Sequence, residues 1–117
     1  MMRILRFLHD VGAIKALISW PKFSLTSYAM LSSLVKQRIL PRTVIDVGAN
    51  VGQFAVAAAK LFPNVRVHSF EPQPDCVARL REHVAKLGNV TVYAFALGDC
   101  EDEVTFHINS TPSMESK

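Results

Sequence analysis

The chain has 117 residues, half of them hydrophobic and a fifth charged, which allows one domain with a real core and excludes intrinsic disorder. The formal net charge is +3, and residues 1–42 carry seven Lys and Arg against the single acid Asp10. These basic residues are dispersed and lack interleaved aromatic clusters, so we expect no nucleic-acid partner.

The first 42 residues predict a helical segment that precedes the main domain. Residues 2–18 place Ile4, Leu8, Val11 and Ile18 on an amphipathic stripe, and a second helix is expected over 24–39, opened by Ser24. Charged residues interrupt the apolar run, which excludes a secretory leader and a spanning helix, so we expect a cytoplasmic protein. A solvated helix face is favoured over a membrane-surface helix.

From residue 43 onward the pattern alternates between short apolar runs and helical periodicity. It predicts strands at 43–47, 65–70, 90–96 and 103–108, and helices at 52–61 and 74–87. The first strand is continuously apolar around one acid, which predicts burial on both faces. We therefore expect an α/β, Rossmann-like domain over 43–110 with a mostly parallel sheet and right-handed crossovers, and a loose tail over 111–117.

A tight turn follows the first strand and leads directly into a helix. Gly48 and Gly52 have no Cβ atom, so a ligand could approach the exposed backbone amides closely at these positions. Asn50 tolerates left-handed backbone torsions better than most residues. Asp46 ends an apolar strand and needs a partner, because a buried carboxylate is costly without donors. That partner is either the turn itself or a cationic ligand group.

A second group of candidate residues follows the next two strands. Glu71 ends the second strand, where the crossover should bring it beside the glycine turn, and a carboxylate there can accept two ribose hydroxyls. Ala96 and Leu97 would offer an apolar wall and amides to an adenine across the same crevice. Asp99 is a candidate for the adenine amine, with turn capping as the alternative. These positions predict a nucleotide-type cofactor site.

A nicotinamide-dinucleotide site is the competing interpretation, since it also uses a glycine loop and an acid about twenty residues later. The spacing here disfavours it. The glycines read Gly-x-x-x-Gly, and Asp46 would repel a pyrophosphate whereas it would attract a cationic amino group. Cys76 and Cys100 show no metal-ligand spacing to the histidines, and we expect no metal site.

Three motifs make the chain resemble the FkbM-type methyltransferases: VIDVGANVGQF at 44–54, FEPQPD at 70–75, and NVTVYAFALGD at 89–99 followed by EVTFHIN. The resemblance covers about residues 40–110. It implies a class I methyltransferase fold, S-adenosylmethionine as methyl donor, and O-methylation of a sugar or natural-product hydroxyl. By this resemblance Asp46, Gly48, Asn50 and Gly52 form the methionine and loop side of the site, and Glu71 takes the ribose.

The chain departs from that family in its length, because family members continue through further strands, helices and a Lys-Ile-Asp-x-Glu-Gly stretch that hold the acceptor. No catalytic base is therefore assigned, and the four histidines are interpreted as ordinary. A non-catalytic cofactor-binding fragment that needs a partner stays an alternative, as does a membrane-associated scaffold. An uncovered edge at the first strand would favour self-association.

Overall fold

The computed structural model describes residues 11–19, 24–62 and 64–98. Seven elements follow one another along these residues: α1 (Val11–Ser19), α2 (Leu25–Lys36), β1 (Thr43–Val47), α3 (Gln53–Leu61), β2 (Arg66–Phe70), α4 (Pro74–Val84) and β3 (Val90–Tyr93). The expected helix start over residues 2–10, the turn at 99–102, the strand at 103–108 and the tail lie outside the described residues.

The three described strands form one parallel sheet in the order β1-β2-β3. Asp46 lies opposite Ser69, and Val47 lies opposite Phe70, so the carboxyl ends of β1 and β2 are level at one edge. The α/β architecture with parallel strands is confirmed. The third strand ends at Tyr93 and not at residue 96, because the chain leaves the ladder after the Glu71 amide donates to the Tyr93 carbonyl.

The core lies on one face of this sheet and is centred on α3. Four consecutive α3 residues, Ala55 to Ala58, are buried, which an amphipathic helix on a single surface would not allow. Helix α3 packs on β1 and β2 on one side and on α2 on another. Small alanine side chains suit this position because they let the neighbouring backbones approach closely. The predicted Ala-rich helix is thus confirmed and is more deeply buried than its periodicity suggested.

Helix α2 begins as predicted and ends three residues early. The Ser24 side chain accepts a hydrogen bond from the Ser27 amide at 3.3 Å, which caps the first turn. At the other end, Arg38 adopts a left-handed φ of 59°, and its amide and that of Ile39 donate back to Val35 and Leu34. This is a Schellman ending, in which an arginine occupies the position that glycine usually fills.

Helix α4 matches the predicted start at Pro74, with Asp75 in its first turn. Val77, Leu80 and Val84 are buried on one face, as expected from their spacing. The regular helix ends at Val84 rather than near residue 87. Irregular turns carry the chain from there into β3.

The opposite face of the sheet is open among the described residues, which corrects the prediction that β1 is buried on both sides. Ile45 and Val47 are 56% and 62% exposed. They alternate with Val44 and Asp46, which point towards the helices, because successive strand residues face opposite sides. On the open face, Phe70 and Tyr93 stack with ring centroids 4.5 Å apart. The described helices thus cover one face only.

Helix α1 contributes less apolar burial than its sequence stripe predicted. Ile18 is exposed, whereas Ala16 is buried; the two side chains lie about 200° apart around a helix. Within residues 11–19, 24–62 and 64–98, every helix is too short or too polar to cross a membrane.

Candidate cofactor site

The site is organised around the carboxylate of Glu71, which is buried at the end of β2. Its Oε1 accepts a hydrogen bond from the Asn50 amide at 2.8 Å, and its Oε2 accepts one from the Gln73 amide at 2.9 Å. One side chain therefore joins the turn after β1 to the turn after β2. The convergence that the sequence predicted between residues 46–52 and Glu71 is present.

The turn itself uses three left-handed residues in five positions. Gly48, Asn50 and Gly52 have φ values of 72°, 53° and 97°. Such torsions are strained for most side chains, and asparagine is among the residues that adopt them most readily. The residue types at these three positions are therefore required by the backbone path.

Four amides of this turn, those of Gly48, Ala49, Asn50 and Gly52, are occupied, which corrects for these four the expectation that they are exposed to a ligand. The Gly48 and Ala49 amides both donate to the Phe70 carbonyl, at 2.9 and 3.0 Å. The Asn50 amide donates to Glu71, and the Gly52 amide donates to the Ala49 carbonyl at 3.0 Å. These bonds extend the β1-β2 ladder into the turn. The four bonded amides are therefore not available to an anion, because anion sites use unpaired amides.

Helix α4 supports the turn from behind, through two residues that sequence patterns did not identify as part of the site. A Cβ at Gly52 would lie 2.8 Å from Leu80 Cδ1 and 3.8 Å from His83 Cβ. His83 Nδ1 also lies within hydrogen-bonding distance of the Val51 carbonyl. His83 was expected to be an ordinary histidine, because no local sequence pattern indicates a contact with a residue 32 positions away.

Asp46 lies on the helix-covered face of β1 and is paired with Ser69, whose hydroxyl donates to Asp46 Oδ2 at 3.1 Å. Burial raises the pKa of this carboxyl above its ordinary value; the Ser69 hydrogen bond lowers it, and the nearby Glu71 raises it. The described partner of Asp46 is thus a residue of the neighbouring strand, which was not among the two partners expected from the sequence.

Cys76 lies at the outer rim, in the first turn of α4. Its Sγ is 3.4 Å from Asn50 Oδ1 and 3.9 Å from Gln73 Oε1. Burial raises the pKa of the thiol, with a further increase from Glu71. The thiol therefore stays protonated at neutral pH and can act as a weak donor to the Asn50 side chain.

The remaining predicted site residues are Ala96, Leu97 and Asp99, which follow β3. Ala96 and Leu97 lie in irregular chain after β3, with exposed side chains. Asp99 is outside the described residues, so its role stays a prediction. Among the described residues, no three His, Cys, Asp or Glu side chains are grouped as metal ligands would be.

Among protein families, the chain matches over residues 46–117 the model described as the methyltransferase FkbM domain. This span begins at Asp46 and includes the glycine turn, Glu71 and the whole of α4. The residues that build the site thus lie inside the matched region.

Two characterised relatives and one solved structure are similar to parts of the chain. The 2-O-methyltransferase NoeI of Sinorhizobium fredii is 29% identical over 87 residues, or 74% of this chain and 35% of that protein. The 31-O-demethyl-FK506 methyltransferase FkbM of Streptomyces tacrolimicus is 46% identical over 43 residues, or 37% of this chain and 16% of that protein. The chain therefore spans well under half the length of either relative.

The solved structure is a Pyrococcus horikoshii protein provisionally described as an RNA methyltransferase. It superposes with a TM-score of 0.57 at 19% identity, over 67% of this chain and 39% of that one. At this identity the match concerns the fold, which is Rossmann-like.

Proposed function

Because the chain belongs to the FkbM methyltransferase family, we propose that the turn at 46–52 and Glu71 form part of an S-adenosylmethionine site. We further propose that the whole protein transfers a methyl group to the hydroxyl oxygen of a small molecule or glycan. The observation that carries the proposal is the bond from the Asn50 amide to Glu71, which joins the two turns into one crevice wall.

The Glu71 carboxylate has the capacity for a ribose in addition to its present partners. Two carboxylate oxygens offer about four lone-pair sites, and the Asn50 and Gln73 amides use one on each oxygen. The remaining sites can accept two hydroxyl donors. The two amides also hold the carboxylate in place, so little side-chain freedom would be lost when a diol binds.

The charge around the turn supports a cationic ligand over a pyrophosphate. Asp46 and Glu71 place two carboxyl groups next to each other, and the Gly48, Ala49 and Asn50 amides are already bonded. A pyrophosphate next to these residues would meet negative charge, and these three amides could not donate to it. The ammonium and sulfonium groups of S-adenosylmethionine would instead be attracted.

When bound, S-adenosylmethionine supplies an electrophilic methyl group to an acceptor oxygen. The residues of this chain would bind and orient the methyl donor. Glu71 would accept hydrogen bonds from the ribose hydroxyls, and the turn would contribute its shape and the negative charge of the neighbouring carboxyl groups. Such positioning is a principal source of rate enhancement in a two-substrate transfer. The names of the two relatives, a 2-O-methyltransferase and a 31-O-demethyl-FK506 methyltransferase, support a hydroxyl acceptor.

Calorimetric titration with S-adenosylhomocysteine and with NAD tests the cofactor assignment. We expect S-adenosylhomocysteine to bind, NAD not to bind, and Glu71→Gln to weaken binding by roughly tenfold or more, the factor expected from losing a charged acceptor. Glu82→Gln, on the exposed surface of α4, is the matched control and should bind as the unmodified chain does. Binding of NAD alone would contradict the proposal.

A second candidate is a cofactor-binding segment that becomes competent only when a partner chain covers the open sheet face. The exposure of Ile45 and Val47 favours it, since apolar residues of a parallel sheet are ordinarily covered on both faces. The same titration separates the two candidates. A folded chain, shown by cooperative melting, that binds neither ligand would support the partner-dependent function.

A further inference from the structure

One contact of the described chain is unexplained by either the fold or the cofactor residues. His83 Nδ1, on α4, lies within hydrogen-bonding distance of the carbonyl of Val51, in the middle of the glycine turn. A backbone carbonyl only accepts hydrogen bonds, so Nδ1 must be the protonated nitrogen of this imidazole.

The carbonyl of Val51 lies between the two left-handed residues Asn50 and Gly52. Its peptide plane determines how the turn enters α3, and Val51 itself is buried. The amides on either side are held by Glu71 and by the Ala49 carbonyl. His83 is therefore the donor that fixes the carbonyl side of the same turn.

The contact at Gly52 makes this arrangement tighter. Leu80 and His83 lie one helical turn apart on α4, and both lie close to the position that a Cβ at Gly52 would take. The leucine limits how far the turn can move towards α4 by van der Waals contact. The histidine limits how far it can move away, through its hydrogen bond.

We propose that His83 is a positioning residue that holds the turn at 50–52 in its ligand-binding shape through Nδ1–H donation to the Val51 carbonyl. The inference rests on the proposed function, because the turn is taken as one wall of the S-adenosylmethionine site. The role requires a donor at the Nδ1 position and does not require imidazole chemistry.

Substitutions at residue 83 distinguish the effect of the hydrogen-bond donor from the effect of side-chain volume. His83→Asn keeps an amide nitrogen bonded to Cγ, as Nδ1 is, whereas His83→Leu keeps comparable bulk without a donor. We expect His83→Leu to weaken S-adenosylhomocysteine binding roughly tenfold, which is the factor for one ordinary hydrogen bond. His83→Asn should restore affinity to within about threefold. Arg81→Leu, exposed on the same helix, should leave binding unchanged.

Two measurements decide the proposal without any ligand. A ¹⁵N spectrum of the histidine side chains should show His83 protonated at Nδ1, and hydrogen exchange of the Gly52 amide should accelerate in His83→Leu but not in His83→Asn. The positioning role would be overturned if His83 were the Nε2–H tautomer, or if His83→Leu and His83→Asn accelerated hydrogen exchange of the Gly52 amide equally. If the unmodified chain binds no S-adenosylhomocysteine, the proposed function fails while these two measurements still decide the role of His83.

Discussion

Replacing Gly52 by alanine should be one of the more damaging small substitutions in this chain. The added methyl group would lie 2.8 Å from Leu80 Cδ1, well inside van der Waals contact, and the backbone has a φ of 97°. Leu80 is fully buried in the core, so its terminal methyl cannot move aside without disturbing α4. Two separate costs therefore act on the same substitution.

Their magnitudes follow from the geometry. A left-handed backbone costs a non-glycine residue about 1–2 kcal/mol, and an extra methyl group in a packed interior costs about 1–3 kcal/mol. We expect Gly52→Ala to lower the free energy of unfolding by about 2–5 kcal/mol. Gly48→Ala should cost about 1–2 kcal/mol only, because Gly48 has a φ of 72° and no atom lies within 4 Å of the added Cβ.

Urea unfolding of the three single variants provides the test, with Gly88→Ala as the control. Gly88 has open space around the added Cβ and no left-handed torsion, so the substitution should lie within about 1 kcal/mol of the unmodified chain. The reasoning is refuted if Gly52→Ala and Gly48→Ala cost the same, since the contact with Leu80 would then contribute nothing.

Three further outcomes are expected. The pKa of Asp46 in the folded state is raised above 3.8, so the stabilising contribution of this carboxyl falls as the pH rises from 3.8 through the raised pKa. Asp46→Asn should therefore increase the free energy of unfolding more at pH 7 than at pH 3, as measured by urea titration. An equal increase at the two pH values would contradict this. Ile45→Lys should reduce self-association in sedimentation, because it charges the open sheet edge, whereas Met30→Lys, similarly exposed on α2, should not. Ser24→Ala should lower the free energy of unfolding by about 1 kcal/mol through loss of the helix cap, and an unchanged urea midpoint would exclude that role.

Much of the site was predictable because its main elements obey local rules. The apolar run before Gly48 predicts a strand, and the residues from Gly52 predict the helix that follows it. Parallel strands joined by a helical crossover bring their carboxyl ends to one edge. The meeting of Asn50 and Glu71 follows from that rule.

Partner choice within the site was not predictable in the same way. Asp46 was expected to meet the turn or a ligand, and the contact found is Ser69 on the neighbouring strand. The Gly48 and Ala49 amides were expected to be exposed, and they bond to the Phe70 carbonyl. Each of these outcomes depends on the register between two strands, which the spacing along one strand does not encode.

By itself, the sequence determined the order of strands and helices and the left-handed turn, since each depends on short-range periodicity and backbone sterics. The acid that meets the turn followed from the position of the two strand ends in a parallel crossover. Tertiary structure decided which face of β1 is covered, which groups the turn amides bond to, and that His83 supports the turn from α4. Those features depend on groups more than twenty residues apart that become neighbours only when the helices pack against the sheet. Hydrogen-bond partners are chosen by that packing, because a buried donor or acceptor bonds to whichever complementary group lies within reach.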